Sequence, residues 1–178
     1  TSTTVQDYEQ VLAAIEEEPP TIEIYALGGS NNEWTYENTN FAGEDFVITS
    51  DYIFPQKSDP SSASGGLLEF WFFTNSDNSE YIELSIMDYN GIQLLQRSSS
   101  GLTRLRKTTF RASSEEYLLK IVCFDNTLTL LLNNSVMFSE ELTDTSGDKI
   151  FLFGKDFVGG IPRIENFKFW NLEGVEIN

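Results

Sequence analysis

Along most of this chain apolar and polar residues alternate with a period of two, the spacing of strands that bury one face. Twelve strands follow from that pattern: Thr21–Leu27, Trp34–Glu37, Asp45–Thr49, Leu67–Thr74, Tyr81–Met87, Ile92–Arg97, Leu102–Arg106, Tyr117–Phe124, Thr127–Leu132, Val136–Glu140, Lys149–Phe153 and Arg163–Leu172. Between them stand Gly28-Gly29, Asn90-Gly91, Asp125-Asn126, Asn133-Asn134 and Gly159-Gly160, residues that tolerate the positive φ of tight turns. Asn90-Gly91 suits a type I′ hairpin. Many short strands with regular turns predict an antiparallel β-sandwich, a jelly roll. Only residues 4–18, TVQDYEQVLAAIEEE, change period: Val5, Tyr8, Val11, Leu12 and Ile15 form one helical stripe, ended by Pro19-Pro20. The expected organisation is a helix over residues 1–20, integral to the domain, and a sandwich over residues 21–178.

The segment LLEFWFF is apolar on both faces. Leu68, Phe70 and Phe72 point one way, and Leu67, Glu69, Trp71 and Phe73 the other. One face belongs to a core. The second needs a cover, and the stripe of the only helix is the available one. The helix is therefore expected across Trp71 and Phe73, leaving a margin open to a ligand; the alternative is that the face stands open as an aromatic platform.

Charge and composition narrow the functions. Twenty-eight acidic and eleven basic residues give a net charge of −17 over 178 residues, which repels nucleic acid and anionic lipid. No apolar run reaches the roughly 20 residues of a membrane span, so no membrane insertion is expected. No signal peptide is visible at TSTTVQDYEQ. With no histidine and one cysteine, His/Cys zinc sites and Ser-His-Asp or Cys-His catalysis are unavailable within this chain. Cys123, in YLLKIVCFD, reads as a buried apolar residue. The absence of any intrachain disulfide and the single sequon at Asn133 fit a bacterial surface, a cytosolic origin or a virion.

From residue 65 onward the strand order resembles the concanavalin A-like, or laminin-G-like, jelly roll. The aromatic-rich LLEFWFF is followed by the hairpin YIELSIMDYNGIQLLQR, the pair YLLKIVCFDNTLTLLLNNSVMFSEEL and the ending FGKDFVGGIPRIENFKFWNLEG. The resemblance covers about two-thirds of the chain and implies a lectin-like fold. The metal site of legume lectins does not carry over: Glu69 and Asn75 match by spacing, but Trp71 replaces the second carboxylate and there is no histidine. The ExDxE segment of laminarinase-like glycosidases is absent as well. No metal, no cofactor and no catalysis are expected.

The resemblance implies non-catalytic glycan binding, as a lectin-like attachment domain of an adhesin or a viral spike at a cell or virion surface. The alternative is a protein-binding or structural β-sandwich. Aromatic rings beside carboxylates suit sugars, because ring faces meet C–H groups while hydroxyls find acceptors. Trp71, Tyr81 and Glu83 share a face if their strands pair. Trp34 and Tyr36 lie among amides in GGSNNEWTYENTN. The segment Gln96–Arg111 holds five of the eleven basic residues and no acid; Arg104 and Arg106 are expected on one strand face, fit to bind an acidic sugar or a partner's carboxylates. The oxygen-rich loop Asn75–Glu80 reads as turn chemistry rather than a calcium site.

Overall fold

The computed structural model describes residues 4–23, 34–53, 66–87, 91–110, 116–156 and 163–178. It contains a helix, α1 (Thr4–Ala14), and twelve strands: β1 (Thr21–Glu23), β2 (Trp34–Ala42), β3 (Phe46–Ile53), β4 (Gly66–Thr74), β5 (Tyr81–Met87), β6 (Gly91–Ser98), β7 (Gly101–Thr108), β8 (Glu116–Phe124), β9 (Thr127–Leu132), β10 (Ser135–Glu141), β11 (Lys149–Asp156) and β12 (Arg163–Asn171). Each strand expected from the alternation is present. The turn residues 28–29, 90 and 159–160 lie outside the described residues. The two-residue turns Asp125-Asn126 and Asn133-Asn134 have positive φ at both positions (48° and 59°, 49° and 64°), the type I′ geometry that matches strand twist.

The strands form two six-stranded antiparallel sheets. The back sheet runs β1-β12-β3-β8-β9-β10 and the front sheet β2-β11-β4-β5-β6-β7. Their inner faces supply one core. Phe46, Ile48 and Tyr52 of β3, Ile121 of β8 and Leu130 of β9 meet Leu68, Phe70, Phe72, Leu84, Ile86 and Leu94 of the front sheet, all at or near zero exposure. Alternation alone produces this inner layer.

The helix does not lie where the sequence suggested. Val11 and Ile15 are buried against Val47, Val122, Leu131 and Leu172, with Tyr8 and Leu12 packed at the margin; Val5 lies outside the described side chains. These partners sit on the outer face of the back sheet. The reason is visible in β3, β8 and β9, whose outward residues Val47, Val122 and Leu131 break the polar alternation and offer aliphatic surface of the right size. At the end of the helical segment, Trp170 Nε1–H donates to the Glu18 carbonyl at 3.0 Å.

Bulges correct two further expectations. On β4, Phe72 and Phe73 together oppose the single residue Ile150, and Phe73 takes φ 52°. Phe73 is thereby turned into the core, 6.1 Å from the Phe46 ring, and leaves the face of Trp71. On β7, Leu94 pairs with Arg106 and Leu95 with Arg104, so Leu105 is the extra residue and packs on the core. Arg104 and Arg106 therefore occupy opposite faces. Edge strands β10 and β2 carry register shifts of the same kind. At the start of β11, Gly147 lies against the Thr74 backbone, where a Cβ would come within 2.2 Å of the carbonyl.

Candidate functional site

The outer face of the front sheet is built by four strands in register. On β4, Glu69 and Trp71 point outward. On β5, Trp71 faces Glu83 and Glu69 faces Ser85. On β11, Phe151 faces Trp71 and Phe153 faces Glu69. On β6, Arg97 faces Tyr81. Period-two alternation on neighbouring strands thus gathers residues from 69 to 153 on one surface.

Their rings form a row across the sheet. Trp71 stacks on Tyr81, centroids 3.7 Å apart and planes within 7°. Phe153 meets Trp71 at 4.6 Å and 44°. Beyond Tyr81 the Arg97 guanidinium lies 5.9 Å from the ring centroid, and Arg97 Nε donates to the Tyr81 hydroxyl at 3.1 Å. Tyr81 is almost wholly buried by this arrangement, whereas Trp71 and Phe153 remain half-buried and Arg97 exposed. Burial pushes the Tyr81 hydroxyl above its ordinary value, and Arg97 partly opposes it.

Beside the row sits a carboxyl pair. Glu69 is only 7% exposed. Trp71 Nε1–H donates to its Oε1 at 2.6 Å. Burial first, then the hydrogen bond and charge of neighbouring Glu83, push the Glu69 carboxyl up to about 8, against the opposing hydrogen bonds from Trp71 and Ser85. Ser85 Oγ donates to Glu83 Oε2 at 3.5 Å. At neutral pH the site therefore offers half-exposed rings for sugar C–H groups, the Glu83 carboxylate as an acceptor for hydroxyls, and the exposed Arg97 guanidinium as a donor.

Of the residues singled out in the sequence, the structure brings Trp71, Tyr81 and Glu83 together. Arg104 is on the same side of the sheet, at the β7 edge opposite Leu95. Arg106 is not: its Nε lies 3.3 Å from Glu140 and its Nη2 donates to the Ser139 carbonyl at 3.4 Å, both on β10 of the other sheet. Trp34 and Tyr36 are on β2, with backbones opposite Lys155 and Phe153, and their side chains lie outside the described set. Sequence reasoning missed Phe151, Phe153 and Arg97 as members of the site. The alternation in KIFLFGKD was the available signal, but the β4–β11 pairing that makes it relevant joins segments about eighty residues apart.

In the Asn75–Glu80 loop the oxygens are taken by the protein's own donors: Asn75 Oδ1 accepts from the Ser79 and Glu80 N–H groups, Asp77 Oδ1 from Ser79, Glu80 Oε2 from Ser146, and the Ser76 carbonyl and Asn78 Oδ1 from Lys149. A cleft of about 510 Å³ is lined by Glu44, Asp45, Asp148, Asn171 and Glu173. Among the described residues no group of three or more His, Cys, Asp or Glu is placed to hold a metal ion.

No family model and no curated protein matches this sequence. Solved structures do match its fold. A carbohydrate-binding module, CBM66, from Bacillus subtilis superposes with a TM-score of 0.62 at 12% identity, covering 85% of this chain and 91% of that one. The carbohydrate recognition domain of Emp46p, in a potassium-bound form, gives 0.60 at 12% identity over 85% and 86%. Sheep galectin-11, in complex with glycerol, gives 0.55 at 9% over 80% and 100%. The chain thus shares the fold of these structures, a β-sandwich jelly roll of two antiparallel sheets. Among the described residues no helix is long and apolar enough to cross a membrane.

Proposed function

We propose that this protein binds glycans without catalysis, through the outer face of its front sheet. The observation that carries the reading is the Phe153–Trp71–Tyr81–Arg97 row with Glu69 and Glu83 beside it, an apolar surface edged by hydrogen-bonding groups. The fold of the structural neighbours supports it by analogy. Glu83 is the hydroxyl acceptor, and Trp71 supplies the stacking surface. Arg104 is a peripheral contact at the β7 edge. Trp34 and Tyr36 are further candidates, on β2, whose backbone pairs with β11. Arg106 has no part in it. An acidic group on the sugar would be met by Arg97, and the hydroxyls of a neutral sugar by Glu83. The biological role that fits is attachment, as a domain of a surface adhesin or a viral spike.

A glycan array probed with the wild type and with Trp71→Ala tests the reading. Binding to at least one class of oligosaccharide is expected, with a loss of tenfold or more in the variant, about 1.4 kcal/mol per tenfold. A β-sandwich that binds proteins instead would show no glycan signal above background. The exposed edge strand β7, with Leu102 50% exposed beside Arg104, favours that second reading.

A further inference from the structure

We propose that Glu69 and Glu83 hold one proton between them, and that this proton fixes the Trp71 ring and the Glu83 carboxylate in the geometry a ligand meets. Glu69 is then a positioning residue rather than a contact. The inference deepens the glycan-binding reading and rests on it for its functional part only.

Three observations converge on the pair. First, Glu69 is enclosed: Trp71 on its own strand, Ser85 opposite on β5 and Phe153 opposite on β11 surround a carboxyl that is 7% exposed. Second, its hydrogen bonds are made within the site. Oε1 accepts from Trp71 Nε1–H at 2.6 Å, and Glu83 is its diagonal neighbour on the same face, opposite Trp71 on β5. Two like charges so placed in a poorly solvated site repel each other, so a proton is retained, and Glu69, the more buried of the two, is the one that keeps it. Third, no cation among the described side chains neutralises it. On β4 the nearest ionisable group is Glu69 itself. On β5 they are Tyr81, a phenol kept neutral by burial, and Glu83, itself an acid. On β6 Arg97 is committed to the Tyr81 hydroxyl and ring. On β11 the facing residues are Phe151 and Phe153, and Lys155 stands opposite Leu67, its side chain outside the described set. Lys149, farther along β11, bonds to the Ser76 carbonyl and to Asn78.

A neutral Glu69 can do two things at once: accept from the indole and donate its O–H to Glu83. It thereby ties the stacking ring to the acceptor across two strands. When the proton leaves, two adjacent carboxylates share a poorly solvated site with no counter-charge among the described side chains, and the donor between them is gone. The acceptor and the ring then lose their common tie.

The test needs no ligand. The Trp71 indole N–H resonance, assigned with Trp71→Phe, is followed by two-dimensional NMR from pH 6 to 10. The side-chain carboxyl carbons of Glu69 and Glu83 are followed in the same wild-type sample. The Trp71 signal is expected to move in one step with a midpoint near pH 8, in parallel with the Glu69 carbon. Glu69→Gln, whose amide still donates and accepts, should abolish the step while keeping the indole signal at its low-pH position. Glu83→Gln should bring the midpoint down by at least one pH unit. A Trp71 step that persists in Glu69→Gln, or a Glu69 carbon that titrates as an ordinary carboxyl near pH 4–5, would overturn the proposal. If the Gln variant does not fold, the wild-type carbon titration alone decides. The functional arm repeats the glycan array at pH 6.5 and pH 9.5: at least a tenfold loss at the higher pH is expected in the wild type and none in Glu69→Gln. An NMR step without glycan signal at either pH overturns the binding reading and leaves the shared proton standing. Glycan binding without the NMR step does the reverse.

Discussion

The two sheets of this sandwich each turn an apolar surface outward, and they resolve it differently. On the back sheet Val47, Val122 and Leu131 are covered by α1 through Val11 and Ile15. On the front sheet Trp71, Tyr81, Phe151 and Phe153 stack on one another beside Glu69, Glu83 and Arg97. Aliphatic side chains have no polar handle and gain only by exclusion of water, so a helix with a matching stripe is their natural cover. Aromatic rings pack against each other and carry an indole N–H and a phenol O–H, so they can remain at the surface with partners of their own. The contrast separates a surface that serves stability from one fit for recognition.

The largest effect should come from breaking the covered face. Val11→Ala with Ile15→Ala is expected to cost roughly 2–5 kcal/mol, because both side chains are almost fully buried and the helix cannot collapse into the gap. Denaturant unfolding measures it. Glycan binding well below the melting temperature should be unchanged, which would place the helix within the folding unit but outside the site. A double variant as stable as the wild type would mean that the helix merely rests on the sheet.

The pH dependence of stability should distinguish the faces next. The folded-state value of Glu69 is near 8, above the 4.5 of an unperturbed glutamate. The folded state therefore holds more protons between those limits, and the contribution of Glu69 is full below about 4.5 and lost as pH rises through about 8. Thermal melts from pH 4.5 to 9 should show that decline in the wild type and a flatter profile in Glu69→Gln. The helix variant should keep the wild-type slope from its lower starting point. Equal slopes in wild type and Glu69→Gln would remove the carboxyl pair from the comparison.

The smallest effect separates the two arginines. Arg106→Ala should cost about 0.2–1 kcal/mol, as a partly exposed ion pair does, with no change in glycan binding. Arg104→Ala should leave stability within about 0.5 kcal/mol. Its influence on binding, through its position at the β7 edge, should be at most a few-fold and should shrink as salt rises. Titrations at low and high salt settle both.

Much of this architecture was legible in the chain. Strand alternation and turn doublets such as Asp125-Asn126 specify their own geometry within a few residues, so every strand could be located. Trp71, Tyr81 and Glu83 were found because β4 and β5 are neighbours in sequence as well as in space. What stayed hidden depended on single extra residues or on distant pairings. One bulge sends Phe73 inward, another sends Arg106 to the opposite sheet, and neither residue type announces it. The doubled phenylalanine, Phe72-Phe73, was the only local hint that one alternation had slipped. The helix was misplaced because its stripe would fit either outer face; the deciding residues, Val47, Val122 and Leu131, are scattered over three strands.

The bulges have a further consequence at the sides of the molecule. Of the strands that end the sheets, β2, β7 and β10 each carry a break in register. A straight, unpaired backbone edge invites a strand from another chain to add on and extend the sheet, the first step toward swapped dimers and fibrils. None of these three described edges offers a long uninterrupted template of donors and acceptors. The same irregularities that re-aimed Arg106 thus close these sides of the sandwich to strand addition.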